Sequence, residues 1–211
     1  MTRASAIACA LAIAVAGCAL PKPQDKARCV TAVAMSEFTF TDARAWRWCE
    51  EAGCAGCLEL LGTSAYTPPH RSPIHLAMLA EPDFGDFDLR LEAQQTGREY
   101  PHRDLVLVFG YRDAAHFAYA HLASKADQSA HHLQLVDGAD RRPVTTQRTD
   151  GVAWGSGWHE LRVRRTGTRV EVWFDGGDPV LVGEAPAWRG RVGFGSFDDQ
   201  GRFRNLRIEN G

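Results

Sequence analysis

The sequence predicts an all-β protein: a two-sheet antiparallel β-sandwich behind a short cysteine-containing N-terminal extension. From Leu58 onward apolar and polar residues alternate with period two, as in residues 87–92, 160–164 and 202–208. Such alternation is typical of strands with one face towards water. Turn-forming clusters such as Asp-Gly-Gly at residues 175–177 separate these runs, at intervals of about ten residues, a spacing typical of sandwiches and barrels.

Length and charge limit the classes of function. A chain of 211 residues is enough for one sizeable domain. Its 24 Lys and Arg against 26 Asp and Glu give a formal charge of −2, which provides no positive field, so we expect no nucleic-acid partner. With 45% hydrophobic and 24% charged residues the composition is that of an ordinary globular protein.

The N-terminus has the pattern of an export signal. Arg3 precedes an apolar run over residues 4–14 that is too short to span a bilayer, and small residues at 15–17 lead directly to Cys18. This resembles the lipobox of bacterial lipoproteins, which implies removal of residues 1–17 and attachment of lipid to Cys18. The alternative is an ordinary secretory signal cleaved nearby.

The residues that follow bear on location. Residue 19 is Ala, where an Asp would resemble an inner-membrane retention signal, so we expect an outer-membrane lipoprotein of the bacterial envelope. Residues 18–36 then form the lipidated cysteine and a polar tether. The membrane is expected to be a partner through this lipid anchor only.

The cysteines fit export into an oxidising compartment. Without Cys9 in the signal and the lipidated Cys18, four remain: Cys29, Cys49, Cys54 and Cys57. Four cysteines predict two disulfides with three possible pairings. An iron–sulfur cluster would need a further cysteine downstream, and a zinc site is a second alternative. We interpret these cysteines as fixing the extension, residues 37–57, to a sandwich over residues 58–211.

Four segments in the second half of the chain carry a family resemblance. They are residues 158–163, 170–176, 190–197 and 203–208. In their residues and their order along the chain, these segments resemble the C-terminal half of the concanavalin A-like jelly-roll superfamily. Within that superfamily the resemblance is strongest to 3-keto-disaccharide hydrolase-type and laminin G-like domains. The resemblance implies a jelly roll in which the concave outer face of one sheet holds a sugar.

Strand parity predicts a polar patch. Residues 105–111, 116–122 and 130–136 are expected to form three consecutive antiparallel strands, with a turn at 112–115 that pairs Tyr111 with His116. One face is apolar and should pack into the core. The other should be open to solvent and carry a group of polar side chains: Asp104, Tyr119, His121, His132 and Gln134.

These residues have chemistry suited to a sugar site. A neutral imidazole can accept a proton and a phenol can donate one, so the candidate catalytic residues are His121, His132 and Tyr119. Candidate substrate-binding residues are His102, Arg103, Asp104, Lys125, His131 and Gln134. A divalent metal bound by His121, His132 and Asp104 is a further hypothesis.

Carboxylates could also take part in glycoside hydrolysis or calcium binding. The E-x-D-x-x-E pattern by which jelly-roll glucanases present their carboxylates does not occur in the sequence, which disfavours a double-carboxylate glucanase. The Asp-Asp-Gln-Gly run at residues 198–201 could bind calcium, or could simply be a hairpin turn.

Three hypotheses about function remain open. The family resemblance implies cleavage of a glycosidic bond next to a C3 ketone, where the ketone acidifies the C2 proton and a histidine can abstract it; a lyase acting on a uronate would use similar groups. The second hypothesis is a non-catalytic carbohydrate-binding or adhesion module. The third is a structural envelope lipoprotein with incidental histidines.

Overall fold

The computed structural model describes residues 29–31, 34–50 and 56–211. The predicted signal peptide, Cys18 with most of its tether, and Cys54 lie outside the described residues. Among the residues that are described, no helix is long and apolar enough to cross a membrane.

The described chain consists almost entirely of strands, with short 3-10 turns at Met35–Glu37 and Ala43–Ala45. In chain order the strands are β1 (Cys29–Thr31), β2 (Phe38–Phe40), β3 (Trp46–Cys49), β4 (Cys57–Leu60), β5 (His75–Leu79), β6 (Phe87–Gln95), β7 (Asp104–Asp113), β8 (His116–Ala123), β9 (His132–Asp137), β10 (Arg142–Pro143), β11 (Thr145–Arg148), β12 (His159–Thr166), β13 (Arg169–Phe174), β14 (Leu181–Glu184), β15 (Arg191–Ser196) and β16 (Gly201–Asn210).

These strands form two antiparallel sheets. The first sheet has the order β11-β14-β13-β12-β6-β16-β4-β3, with β1 also paired to β16. The second sheet has the order β10-β9-β8-β7-β15-β5-β2. Alternate residues of both sheets, such as Leu89 and Leu91 of β6 and Leu105 and Leu107 of β7, form one core between them. The predicted all-β sandwich is therefore confirmed.

The segment at residues 37–57 contributes to both sheets. Strand β2 pairs with β5 at the edge of the second sheet, and β3 pairs with β4 at the edge of the first. Trp46 is buried, and its ring centroid lies 6.0 Å from those of Phe194 and Phe203. Cys49 and Cys57, which are opposite each other on β3 and β4, form a disulfide and are therefore not free to bind zinc or iron.

The predicted hairpin register is largely correct. His121 lies opposite His132, and Tyr119 lies opposite Gln134, as strand parity predicted. The turn between β7 and β8 differs from the prediction, because Asp113, and not Tyr111, lies opposite His116. The register shifts after Phe109, next to a glycine with a positive φ of 59°, which marks a β-bulge.

The outer face of the second sheet is mostly not open to solvent, contrary to the prediction. Its own side chains form a second buried cluster, which is mainly apolar: Leu76, Met78, Val106, Val108, Phe117, Tyr119 and Val136. The chain at residues 138–141 is held to Arg71, whose backbone N–H donates to the Asp140 carboxylate at 2.8 Å and whose carbonyl accepts from the Arg141 N–H at 3.2 Å. One end of this face is open as a cleft.

Candidate functional site

The cleft has a volume of about 500 Å³ and is built mainly from the ends of strands and from loops that are distant in sequence. Its lining combines guanidinium, imidazole, carboxylate and aromatic groups. The residues are Arg71, Ile74, Tyr100, His102, Asp104, His121, Asp127, Ser129, Ala130, Arg141, Phe197 and Asp198. The volume lies within the roughly 300–1,000 Å³ range of small-molecule sites.

His121 lies at the floor of the cleft with 4% of its surface exposed. Its Nδ1 is 3.1 Å from the Ser129 carbonyl, which can only accept, so Nδ1 is the donor of this hydrogen bond. Its Nε2 lies 3.0 Å from Oδ2 of Asp104, but not in the geometry of a hydrogen bond. The imidazole is thus fixed in one orientation, with Nε2 directed at a carboxylate.

A hydrogen-bond network behind the cleft holds Asp104, whose carboxylate lines it. Oδ2 of Asp199 accepts from the Asp104 backbone N–H at 2.7 Å and from the Tyr100 hydroxyl at 2.9 Å. The Ser196 hydroxyl donates to Oδ1 of Asp104 at 3.2 Å. Burial, with a smaller contribution from the charge of Asp104, raises the pKa of Asp199 to about 6. Burial and the neighbouring Asp199 also raise the pKa of Tyr100.

Arg141 and Phe197 form another wall of the cleft. The guanidinium of Arg141 lies 4.3 Å from the ring centroid of Phe197. One of its N–H groups, on Nη1, donates to the Tyr119 hydroxyl at 3.3 Å. At the rim, Nδ1 of His102 is 3.4 Å from Oδ2 of Asp127. The cleft therefore presents hydrogen-bond donors, acceptors and an aromatic ring.

Of the residues predicted to form the site, His102, Asp104 and His121 line the cleft. Tyr119 does not line it: its ring is fully buried beneath Arg141, and burial raises the pKa of its phenol. The expectation of an accessible phenol is therefore wrong, because apolar neighbours on the same face enclose the ring.

His132 is also directed elsewhere. Although it is opposite His121 in the strand register, its Nδ1 is hydrogen-bonded to Thr145 Oγ1 at 3.0 Å and its Nε2 to Arg148 Nη1 at 2.6 Å. These hydrogen bonds to β11, the edge strand of the first sheet, hold the ring outside the cleft. The predicted metal set of His121, His132 and Asp104 therefore does not share the cleft.

Arg103 and Lys125 likewise do not line the cleft. Arg103 is buried, and its guanidinium donates to the carbonyl oxygens of Gly155 at 2.9 Å and Gln95 at 3.0 Å. Lys125 is exposed in the loop between β8 and β9. Neither side chain is placed to contact a ligand that occupies the cleft.

His131 and Gln134 are buried in the protein and are not part of the cleft lining. Nε2 of His131 is hydrogen-bonded to Thr149 Oγ1 at 3.0 Å. The Gln134 side-chain amide donates to the Ser129 carbonyl at 2.9 Å, the same carbonyl that His121 contacts. Gln134 therefore supports the floor of the cleft from behind.

Several lining residues escaped the sequence-based prediction, namely Arg71, Tyr100, Arg141 and Phe197. All four lie in loops or at a strand end, where strand parity makes no prediction. For Asp198 the sequence predicts only a hairpin turn or a calcium loop. The alternation of side chains along strands, which identified His121 and Asp104, therefore could not predict these residues.

The fold is shared with known structures, although no protein-family model and no curated protein matches the chain. The carbohydrate-binding module CBM66 from Bacillus subtilis aligns with a TM-score of 0.60 and 12% identity, over 82% of this chain and 96% of that chain. A putative glycosyl hydrolase from Parabacteroides distasonis gives 0.58 and 12%, over 87% and 100%. The cellulose-induced protein Cip1 gives 0.53 and 11%, over 83% and 92%. This chain is similar to these three in its β-sandwich fold.

Proposed function

We propose that the protein binds carbohydrate in the cleft. The observation that carries the proposal is the convergence, in a cavity of about 500 Å³, of carboxylates, guanidinium groups, imidazoles and the half-buried ring of Phe197. Sugar hydroxyls both donate and accept hydrogen bonds, so a site for them needs both kinds of partner. The apolar face of a pyranose needs a flat apolar surface, which an aromatic ring provides.

The similar structures support this proposal at the level of fold. One is described as a carbohydrate-binding module and another as a putative glycosyl hydrolase. Because one fold hosts many functions, the cleft carries more weight here than the likeness. Binding is favoured over catalysis because two of the three predicted catalytic residues, Tyr119 and His132, do not line the cleft.

Binding is tested with a panel of oligosaccharides and envelope polysaccharides, measured by calorimetry. We expect Phe197→Ala to weaken binding about tenfold, the equivalent of 1.4 kcal/mol. Trp173→Ala is the matched control, since Trp173 is a half-buried aromatic residue with the Arg162 guanidinium 4.7 Å from its centroid, on the outer face of the first sheet. Loss of binding in the control alone would place the site elsewhere, and no binding to any glycan would contradict the proposal.

A second candidate function is cleavage of 3-keto-glycosides, and the position of His121 is the observation that favours it. Its Nε2 is held in the cleft 3.0 Å from a carboxylate oxygen. As a base it would take the C2 proton. The electron pair would then form a C1–C2 double bond conjugated with the ketone, and the C1–oxygen bond would break as the leaving group takes a proton from water.

The same preparations decide between the two candidates. Incubation with p-nitrophenyl 3-keto-β-glucoside releases nitrophenol if the protein is an enzyme, and His121→Gln should then abolish release while glycan binding persists. A protein that binds glycans but releases no nitrophenol is a binding module.

We also propose that the protein acts in the bacterial envelope, anchored by lipid on Cys18, as an outer-membrane lipoprotein. The lipobox-like sequence and the cysteine usage support this location. The described disulfide between Cys49 and Cys57 is in keeping with an oxidising compartment.

A further inference from the structure

Two arginines of the cleft lining are neighbours in space although they are distant in the sequence. Arg71 and Arg141 both line the cavity. Their backbones are joined directly, because the Arg141 N–H donates to the Arg71 carbonyl at 3.2 Å. The side chain of Arg71 is exposed, whereas Arg141 is half-buried against the ring of Phe197. The fold of these two loops therefore brings two guanidinium groups to the same part of the cleft.

Neither of these guanidinium groups forms an ion pair with a carboxylate of the residues that the structure describes. The carboxylate of Asp140 accepts the backbone N–H of Arg71 instead, at 2.8 Å. Within the described chain, the guanidinium of Arg141 donates one hydrogen bond, to the Tyr119 hydroxyl at 3.3 Å. Because a guanidinium carries five N–H donors, Arg141 retains donors for a ligand in the cleft.

The Tyr119 hydroxyl shows that the two positive charges act on the same place. Burial raises the pKa of this phenol, and the charges of Arg141 and Arg71 both act in the opposite direction. Both guanidinium groups are therefore close to one buried hydroxyl. Like charges that lie near each other repel, and an anionic group bound between them would relieve that repulsion.

The carboxylates that also line the cleft do not neutralise these arginines. Asp104 is paired with His121, whose Nε2 lies 3.0 Å from Oδ2 of Asp104. Asp127 accepts the backbone N–H of Ser129 at 2.7 Å, and Asp198 is exposed. Carboxylate oxygens accept hydrogen bonds from hydroxyl groups, but they repel a ligand that carries several negative charges. The lining thus suits a ligand with one anionic group and several hydroxyls.

We propose that the cleft selects an acidic sugar, a uronic acid residue whose carboxylate binds to Arg71 and Arg141. The inference rests on the proposed binding of carbohydrate and specifies the class of sugar. A guanidinium presents its N–H groups in a fixed fork that matches the two oxygens of a carboxylate. A uronic acid carries a single carboxylate beside neutral hydroxyls, and these hydroxyls can donate to the carboxylates elsewhere in the lining.

The test compares acidic and neutral sugars that are otherwise alike. Oligosaccharides of glucuronate, galacturonate and mannuronate are titrated into the full mature chain in calorimetry, each beside its counterpart of glucose, galactose or mannose. We expect an acidic sugar to bind about tenfold more tightly than its neutral counterpart, because hydrogen bonds to charged groups are stronger than those between neutral groups. Methyl esterification of the carboxylate should remove this preference.

Variants of the two arginines test whether they are responsible for the preference. Arg71→Gln and Arg141→Gln should each reduce the preference for the acidic sugar while binding of the neutral sugar persists. Arg112→Gln is the matched control and should keep the full preference. Arg112 is an exposed arginine whose guanidinium lies 5.5 Å from the ring centroid of Trp188, and it does not line the cleft.

Two results would overturn this inference and leave the proposed binding of carbohydrate intact. These are a neutral sugar that binds at least as tightly as the acidic one in every pair, and a preference for the acid that both arginine variants retain. Binding of no glycan at all would instead contradict the proposed function itself. Arg71 is exposed, so its variant keeps the test meaningful even if Arg141→Gln impairs folding, which circular dichroism would reveal.

Discussion

His131 is a buried imidazole at a position with unusual backbone geometry. Its φ is 58°, in the left-handed region, and none of its surface is exposed. Burial, followed by the charges of His121, Arg148 and His132, lowers its pKa from 6.5 to about 4. The folded protein therefore holds this histidine neutral under conditions in which the unfolded chain would protonate it.

This pKa shift predicts a pH dependence of stability. The folded pKa is below the unfolded one, so the contribution is fully present above pH 6.5 and is lost as the pH falls through about 4. With 1.36 kcal/mol per pKa unit, the loss over this window is on the order of 3 kcal/mol. His131→Asn, which suits a left-handed backbone, should flatten the pH profile of the free energy of unfolding in urea.

The control for this prediction changes packing without changing titration. Val136→Ala removes two buried methyl groups from β9 and should lower the free energy of unfolding by roughly 1–3 kcal/mol, equally at every pH. If His131→Asn retains the wild-type slope between pH 6.5 and 4.5, another group is responsible for it.

Among the elements, strand β15 depends on its glycines for close packing against its neighbour β5. It lies between β7 and β5 in the second sheet and contains Gly193 and Gly195. A Cβ at Gly195 would lie 1.7 Å from the carbonyl oxygen of His75, and one at Gly193 would lie 2.2 Å from that of Ala77. These glycines allow β5 and β15 to approach closely.

Gly195→Ala should therefore be strongly destabilising, since backbone and not a flexible side chain would have to move. We expect a loss of about 3 kcal/mol or more, at the upper end of overpacking effects. Gly157→Ala is the matched control, because nothing lies within 4 Å of its Cβ position, and it should change stability by less than about 0.5 kcal/mol. Similar urea midpoints for both variants would contradict the close approach.

Strand geometry made part of the site predictable from the sequence. Parity placed His121 opposite His132 because residues two apart share a face. The covered outer face could have been anticipated, since residues 105–109 are all apolar, as in a strand buried on both sides. The ring orientation of His132 could not, because it depends on a contact with Thr145 of β11, an element that parity does not place.

The cleft could not be predicted from local sequence patterns, because residues that are distant in the sequence form it. Asp104 and Asp199 are 95 positions apart, yet the backbone of one donates to the carboxylate of the other. The Arg71 loop and the segment before β10 meet through two hydrogen bonds. Such convergence depends on how loops close over a finished sandwich, whereas hydrophobic periodicity only reports which face of a strand is buried.

At the scale of the whole molecule, the N-terminus determines how the sandwich would be presented. The first described strand begins at Cys29 and pairs with β16. Ten residues lie between the expected lipidation site at Cys18 and Cys29, so a fully extended tether reaches at most about 40 Å. An anchored protein would thus keep the start of its sandwich within about 40 Å of the membrane surface.

This arrangement predicts that Cys18→Ser abolishes lipid attachment and releases the protein from the membrane fraction. Expression in a bacterium with labelled palmitate should give a labelled wild-type band and an unlabelled variant, because only the thiol of Cys18 is expected to accept the lipid. Cys9→Ser is the matched control: it changes a cysteine inside the expected signal peptide and should leave labelling intact. A soluble, unlabelled wild type would instead support an ordinary secretory signal, and the tether would then set no limit on the distance between the sandwich and the membrane.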